Sequence, residues 1–289
     1  MRLLIDHLNS KGYALLLEIR KGSYMSFKAK IEETAKKNKS RIVLALDFPF
    51  QNPEKREDLL IKAQKVLEIV HPHVCAVKIN HHLVLPLGVF DGVQHLVNRI
   101  HDNGLLAIMD CKVNDIGSTN QVIADYYYAA GFDALIANPF VGWEEGLEPI
   151  FGAAHRLNRG VILLAYMSHK GAKEGYGQKI FDARKGVEMA QYVFFAEKAL
   201  RWSADGVVVG ATYPEKIREI HEILKDKVPI YSPGIGAQGG VAEKALEAGS
   251  RYLIVGREIT LAENPAAKIK EMKLSYQLKI KLEGSKGKA

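Results

Sequence analysis

Between Arg41 and about Lys273, short apolar runs alternate with segments whose apolar residues recur at helical spacing. The runs are RIVLALD (41–47), VCAVKIN (74–80), LLAIMDCK (105–112), ALIANPF (134–140), VILLAYM (161–167), GVVVGA (206–211), PIYSPGI (229–235) and YLIVGREI (252–259). Each is a nearly continuous stretch of Val, Ile, Leu and Ala, as a parallel strand covered on both faces reads. Between them, 55–70, 91–103, 143–157, 188–203, 214–225 and 239–249 read as amphipathic helices. Strand then helix, eight times over, predicts a single-domain α/β fold of the (β/α)8 TIM-barrel class across 41–275. A doubly wound open sheet is the competing architecture. It usually has fewer strands and often opens on a Gly-rich turn, which ALDFPF (45–50) lacks.

The two ends stand outside the repeat. Residues 1–40 read as a basic, helical N-terminal extension, within which Met25 would serve as an independent beginning before a lysine-rich helix. Residues 276–289 are Lys- and Gly-rich and are expected to fray as a basic tail.

Charge matters here only through its location. The chain carries +7, but 1–40 hold nine Lys or Arg against four Asp or Glu, giving +5. Residues 276–289 hold four against one, giving +3, which leaves 41–275 at −1. A near-neutral body with basic ends does not read as nucleic-acid binding. No apolar run spans a bilayer, and Asp6, His7 and Glu18 interrupt any secretory h-region. With only Cys75 and Cys111, the sequence predicts a cytoplasmic protein without membrane contact. Both cysteines are out of phase with the charged strand residues and are expected to face the helical layer.

Charges within apolar strands are costly, so each needs a reason. Asp47 ends the first strand, Lys78 sits in the second, and Asp110 and Lys112 end the third, with Asp115 following. Any one of these reads as a structural ion pair. Together, alternating Lys and Asp at one barrel mouth would be a poor route to stability, because buried pairs seldom offset their desolvation. A preorganised electrostatic site accounts for the set better. His71, His73, His81 and His82 lack ligand spacing, and no metal site is expected.

The segment MDCKVNDIGSTN (109–120) resembles the Asp-x-Lys-x-x-Asp-Ile signature of the orotidine 5′-monophosphate decarboxylase family. ALD (45–47), AVKIN (76–80), YMSHKGA (166–172), SPGIGAQGG (232–240) and IVGREI (254–259) match in order, so the resemblance covers residues 41 to about 273. It implies cofactor-free conversion of orotidine 5′-monophosphate (OMP) to UMP, with Lys112 as proton donor to C6 and Asp110 beside the substrate carboxylate. Lys78 and Asp115 would complete the charge array. It also implies a homodimer in which Asp115 and Thr119 reach into the partner's site. Asp47 and Lys78 would contact the ribose, and Ser168 the pyrimidine amide edge. Pro233, Gln238, Gly256 and Arg257 would complete the substrate-binding set, the last three holding the phosphate. Gly117 stands where many members have Pro, and Ser168 is followed by His-Lys-Gly rather than His-Pro-Gly.

Two other functions compete. A magnesium-dependent decarboxylase or aldolase acting on a sugar phosphate shares Asp-x-Lys-x-x-Asp, but its metal needs a carboxylate where this chain reads AVKINHHL. A non-catalytic barrel working through its basic ends leaves the central lysine–aspartate array unexplained.

Overall fold

The computed structural model describes residues 25–49, 52 and 55–286. The expected extension at 1–24, including the question of a start at Met25, lies outside the described residues.

Eight parallel strands close into a barrel, confirming the predicted class. In chain order the elements begin with helix α1 (Phe27–Lys37), β1 (Ile42–Ala45), α2 (Arg56–Val70), β2 (Ala76–Asn80), α3 (His81–Leu87) and α4 (Gln94–Asp102). Next come β3 (Leu106–Val113), α5 (Gly117–Ala129), β4 (Ala134–Ala137), α6 (Glu148–Leu157), β5 (Gly160–Tyr166) and a turn of helix, α7 (Ala172–Gly175). A hairpin of β6 (Lys179–Asp182) and β7 (Val187–Ala190) precedes α8 (Gln191–Arg201), β8 (Gly206–Val209), α9 (Pro214–Leu224) and β9 (Ile230–Pro233). The chain ends through α10 (Ala242–Glu247), β10 (Tyr252–Val255), α11 (Arg257–Thr260) and α12 (Pro265–Lys286). The barrel order is β1-β10-β9-β8-β5-β4-β3-β2.

Residues pointing outward from the strands join the helices in one large core, and inward-pointing residues form a second cluster within the barrel. Helix α1 belongs to that inner cluster. Ser26 caps it, accepting from the amide of Ala29, and Phe27, Ile31 and Ala35 sit on one face and are buried. Phe27 lies over the start of β5, where Gly160 makes room: a Cβ there would come within 2.6 Å of the ring. Thus part of the predicted extension is the floor of the barrel.

Four sequence expectations change. The helix expected at 188–203 begins only at Gln191, because Asp182 starts a turn: its carboxylate accepts from Arg184 N and its carbonyl from Gly186 N. The strands expected through 140, 235 and 259 end at Ala137, Pro233 and Val255. The tail expected to fray from 276 is helical to Lys286, and Ile269, Met272 and Tyr276 bury one face of it. Cys75 joins the inner cluster instead of the helical layer. It precedes β2, where strand alternation does not yet apply, and its thiol and amide both donate to the carbonyl of Ile42. Cys111 does pack with the helical layer. Among the described residues, no helix is long and apolar enough to cross a membrane.

Candidate active site

The strand C-termini converge on a cavity of about 200 Å³. Its apolar base is Ala45, Ile136, Leu164, Val208 and Ile254, all from the inner cluster. Around this base stand Asp47, Lys78, Asp110, Lys112, Ser168, Pro233, Gln238, Gly256 and Arg257. Nine of the eleven residues predicted for the site therefore line one cavity. Asp115 and Thr119 do not; both are exposed at the start of α5, and Asp115 accepts from Ile116 N.

Four charges form an unbroken chain. Lys78 Nζ donates to Asp47 Oδ1 at 3.3 Å and to Asp110 Oδ2 at 2.9 Å. Lys112 Nζ donates to Asp110 Oδ1 at 2.6 Å. Burial opposes charge on Lys78, but the carboxylates of Asp110 and then Asp47 overcome it and raise its pKa. Burial likewise opposes charge on Asp110, but Lys78 and Lys112 outweigh it and hold that carboxyl at about 2. All the cavity's buried charge is thus paired, as burial requires.

Lys112 owes its reach to a bulge. Pairing between β3 and β4 shifts register from Met109 to Val113, and Lys112 takes φ 52. This left-handed geometry is unusual for a side chain bearing a Cβ and concentrates at functional sites. It turns the ammonium back onto Asp110 at the edge of the cavity.

The loops after β9 and β10 supply a neutral donor and a cation. Gln238 and Arg257 are exposed, and among the described residues Arg257 forms no ion pair. The backbone between Pro233 and Val241 turns through Gly234, Gly236 and Gly239, all at positive φ. Gly256 is packed so closely to Asp47 that a Cβ would meet Oδ2 at 3.1 Å.

Sequence reasoning missed Asn80. Its amide donates to Asp47 Oδ1 at 2.8 Å, while its own Oδ1 accepts from His82 N at the start of α3. It therefore orients Asp47 from a capping position. The two-residue spacing from Lys78 is the signal that places it on the same strand face. Among the described residues, no group of three or more His, Cys, Asp or Glu side chains is arranged to hold a metal ion.

Residues 40–272 match the family described as orotidine 5′-phosphate decarboxylase / HUMPS. The chain belongs to this family. It is 38% identical over 231 residues to the orotidine 5′-phosphate decarboxylase of Pyrococcus abyssi, covering 80% of this chain and 96% of that protein. The Methanosarcina mazei enzyme of the same name is 34% identical over 224 residues, 78% of this chain and 89% of that one. Among solved structures, the orotidine 5′-monophosphate decarboxylase of Methanocaldococcus jannaschii, complexed with the inhibitor BMP, superposes with a TM-score of 0.66 at 30% identity. That match covers 81% of this chain and 97% of the other. The orotidine 5′-phosphate decarboxylase / HUMPS family match begins at residue 40, just before β1, and so excludes α1, the helix that floors the barrel.

Proposed function

We propose that the protein is a carboxy-lyase that converts OMP to UMP and CO2 in pyrimidine biosynthesis, using its side chains alone. The observation that carries this reading is that the Asp47–Lys78–Asp110–Lys112 chain lines the same cavity as Gln238 and Arg257, which follow β9 and β10. The phosphate lies toward Arg257, Gln238 and Gly256, the ribose against Asp47 and Lys78, and the pyrimidine between Ser168 and Lys112, beside Pro233. Asp110 then faces the C6 carboxylate.

Breaking the C6–carboxylate bond leaves its electron pair on C6, which has no adjacent carbonyl to accept it. The Lys112 ammonium stabilises that charge and transfers one proton to C6; the neutral amine regains a proton from solvent. Asp110 holds this lysine's Nζ in place before the reaction begins. Phosphate binding far from C6 contributes energy to closing the site.

The partner's Asp115 and Thr119 complete each site in a homodimer. On α5, Thr119, Val122 and Tyr126 recur at helical spacing, and they and Asp115, which precedes the helix, are all exposed. Phe90, exposed as well, packs edge-on against Tyr126, so the same face carries an uncovered apolar patch. The free cysteines fit a reducing cytoplasmic setting. The magnesium-dependent sugar-phosphate reading is disfavoured because β2 offers Lys78, whose ammonium pairs with Asp47 and Asp110, and no carboxylate.

OMP absorbance decay after exhaustive dialysis against EDTA tests the assignment. Full turnover is expected; activity lost and restored by magnesium supports the sugar-phosphate alternative instead. The shared site is tested by mixing inactive Lys112→Ala and Asp115→Ala chains. A random mixture yields about half mixed dimers, each with one intact site, so activity should return to about a quarter of wild type. Absence of recovery despite mixed dimers detected by mass spectrometry overturns the shared site.

A further inference from the structure

Ser168 emerges from β5 into a loop whose next residues, His169 and Lys170, are exposed. Its placement is nevertheless tightly specified, and by residues of the turn that follows the next barrel strand, β8. Thr212 Oγ1 donates to the carbonyl of Ser168 at 3.0 Å, and the Tyr213 hydroxyl donates to the carbonyl of His169 at 3.1 Å. The Tyr213 ring is itself held edge-on by Tyr166, with centroids 5.0 Å apart. Two glycines bring the backbone of Ser168 close to its neighbours. A Cβ on Gly210 would stand 2.6 Å from Ser168 Cα, and one on Gly234 would stand 3.1 Å from Ser168 Cβ and 2.9 Å from Gln238 Oε1.

Thr212 and Tyr213 lead into α9, where a Ser, Thr, Asp or Asn would ordinarily cap the helix. Here Tyr213 occupies the capping position without a side-chain cap, and both hydroxyls reach across to the neighbouring loop instead. Ser168 Oγ makes no hydrogen bond among the described residues and lines the cavity. Its contact with a ligand therefore depends on where these two carbonyls are held. Hydrogen bonds weaken steeply when the donor angle is lost, and misplacement of a binding group lowers the rate.

We propose that Thr212 and Tyr213 are positioning residues for Ser168, fixing the loop after β5 so that the serine meets the polar edge of the pyrimidine. This rests on the reading that Ser168 contacts that ring. The two hydroxyls are the means by which the end of β8 sets base recognition at the end of β5.

The test is a double-mutant cycle on kcat/KM for OMP, with Tm measured for every variant. Thr212→Val should lower kcat/KM by about tenfold, mainly through KM, as loss of one neutral hydrogen bond allows. Tyr213→Phe should act in the same direction, and Thr212→Ser, which keeps the hydroxyl, should restore the wild-type value. In a Ser168→Ala background, Thr212→Val should cost under about twofold, because its effect passes through the missing hydroxyl. The Tm shift should be equal in both backgrounds. Losses that multiply independently, or a Thr212→Ser variant no better than Thr212→Val, overturn the positioning role while leaving Ser168 in the site. Wild-type kcat/KM in Ser168→Ala alone removes the reading of Ser168, and the proposal with it.

Discussion

At the floor of the barrel Glu32 is held by Arg41, Arg251 and Tyr252, while at the mouth Asp110 is held by Lys78 and Lys112. Both are carboxylates shared between two cations, and both have lowered pKa values. Their surroundings differ. The floor side chains remain 24–44% exposed, so solvent screens the pairs and each contributes little. At the mouth, Lys78 and Asp110 are 5% and 11% exposed, so the same pairing carries a desolvation cost. The floor is stabilised chiefly by apolar burial, with Phe27, Ile31 and the stacked Tyr231 and Tyr252 beneath the strands. A protein gains little stability by burying a Lys78–Asp110 pair beside a cavity. The contrast identifies the mouth as the end where stability has been given up for chemistry.

Exchanging a residue at each end sharpens this difference. Lys112→Ala should lower kcat by 10²-fold to 10⁴-fold or more, since one side chain supplies both cation and proton. Its circular dichroism and Tm should stay near wild type; near-normal activity would sink the mechanism. Phe27→Ala should do the reverse, costing about 3–5 kcal/mol of stability through the cavity it leaves. The fraction that remains folded should keep wild-type kcat/KM, and a selective loss of activity would show that floor and mouth are coupled.

The pH dependence separates the two carboxylates. Folding lowers the pKa of Asp110 from its ordinary value to about 2, so its stabilisation is present above about pH 4 and lost as pH falls through 2. The whole effect is about 2 kcal/mol, with about half gone by pH 3. Urea melts at pH 7 and pH 3 should show this acid loss in wild type and a shallower one in Asp110→Asn. Equal losses in both proteins would break the assignment. Lys78 acts on the alkaline side: its stabilisation is complete below the usual lysine range and is lost only as pH rises above it. The smallest effect belongs to Glu32→Gln. It should cost under about 1 kcal/mol, shrink further in high salt, and leave turnover unchanged.

Asp47, Lys78, Asp110 and Lys112 were legible because strand ends and period-two alternation are local properties, visible wherever a Lys or Asp interrupts an apolar run; Ser168, Pro233, Gln238, Gly256 and Arg257 came from the family resemblance alone. Asn80 obeyed the same rule but carried no charge to draw notice. Thr212 and Tyr213 could not be found that way, since Thr212 meets Ser168 across 44 residues of chain. The hairpin at 179–190 was hidden because its alternation is short and lies within a segment that resembles the start of a helix.

The sequence by itself determined the eightfold alternation, the strand that carries each charge, and the end of the barrel where those charges meet. These follow from backbone periodicity and from the cost of placing a charge within an apolar run. Only the tertiary structure decided that α1 plugs the floor against Gly160, that Cys75 turns inward, and that a bulge at Lys112 brings its ammonium onto Asp110. Each of these depends on volumes and hydrogen-bond partners supplied by distant strands, which no local pattern encodes.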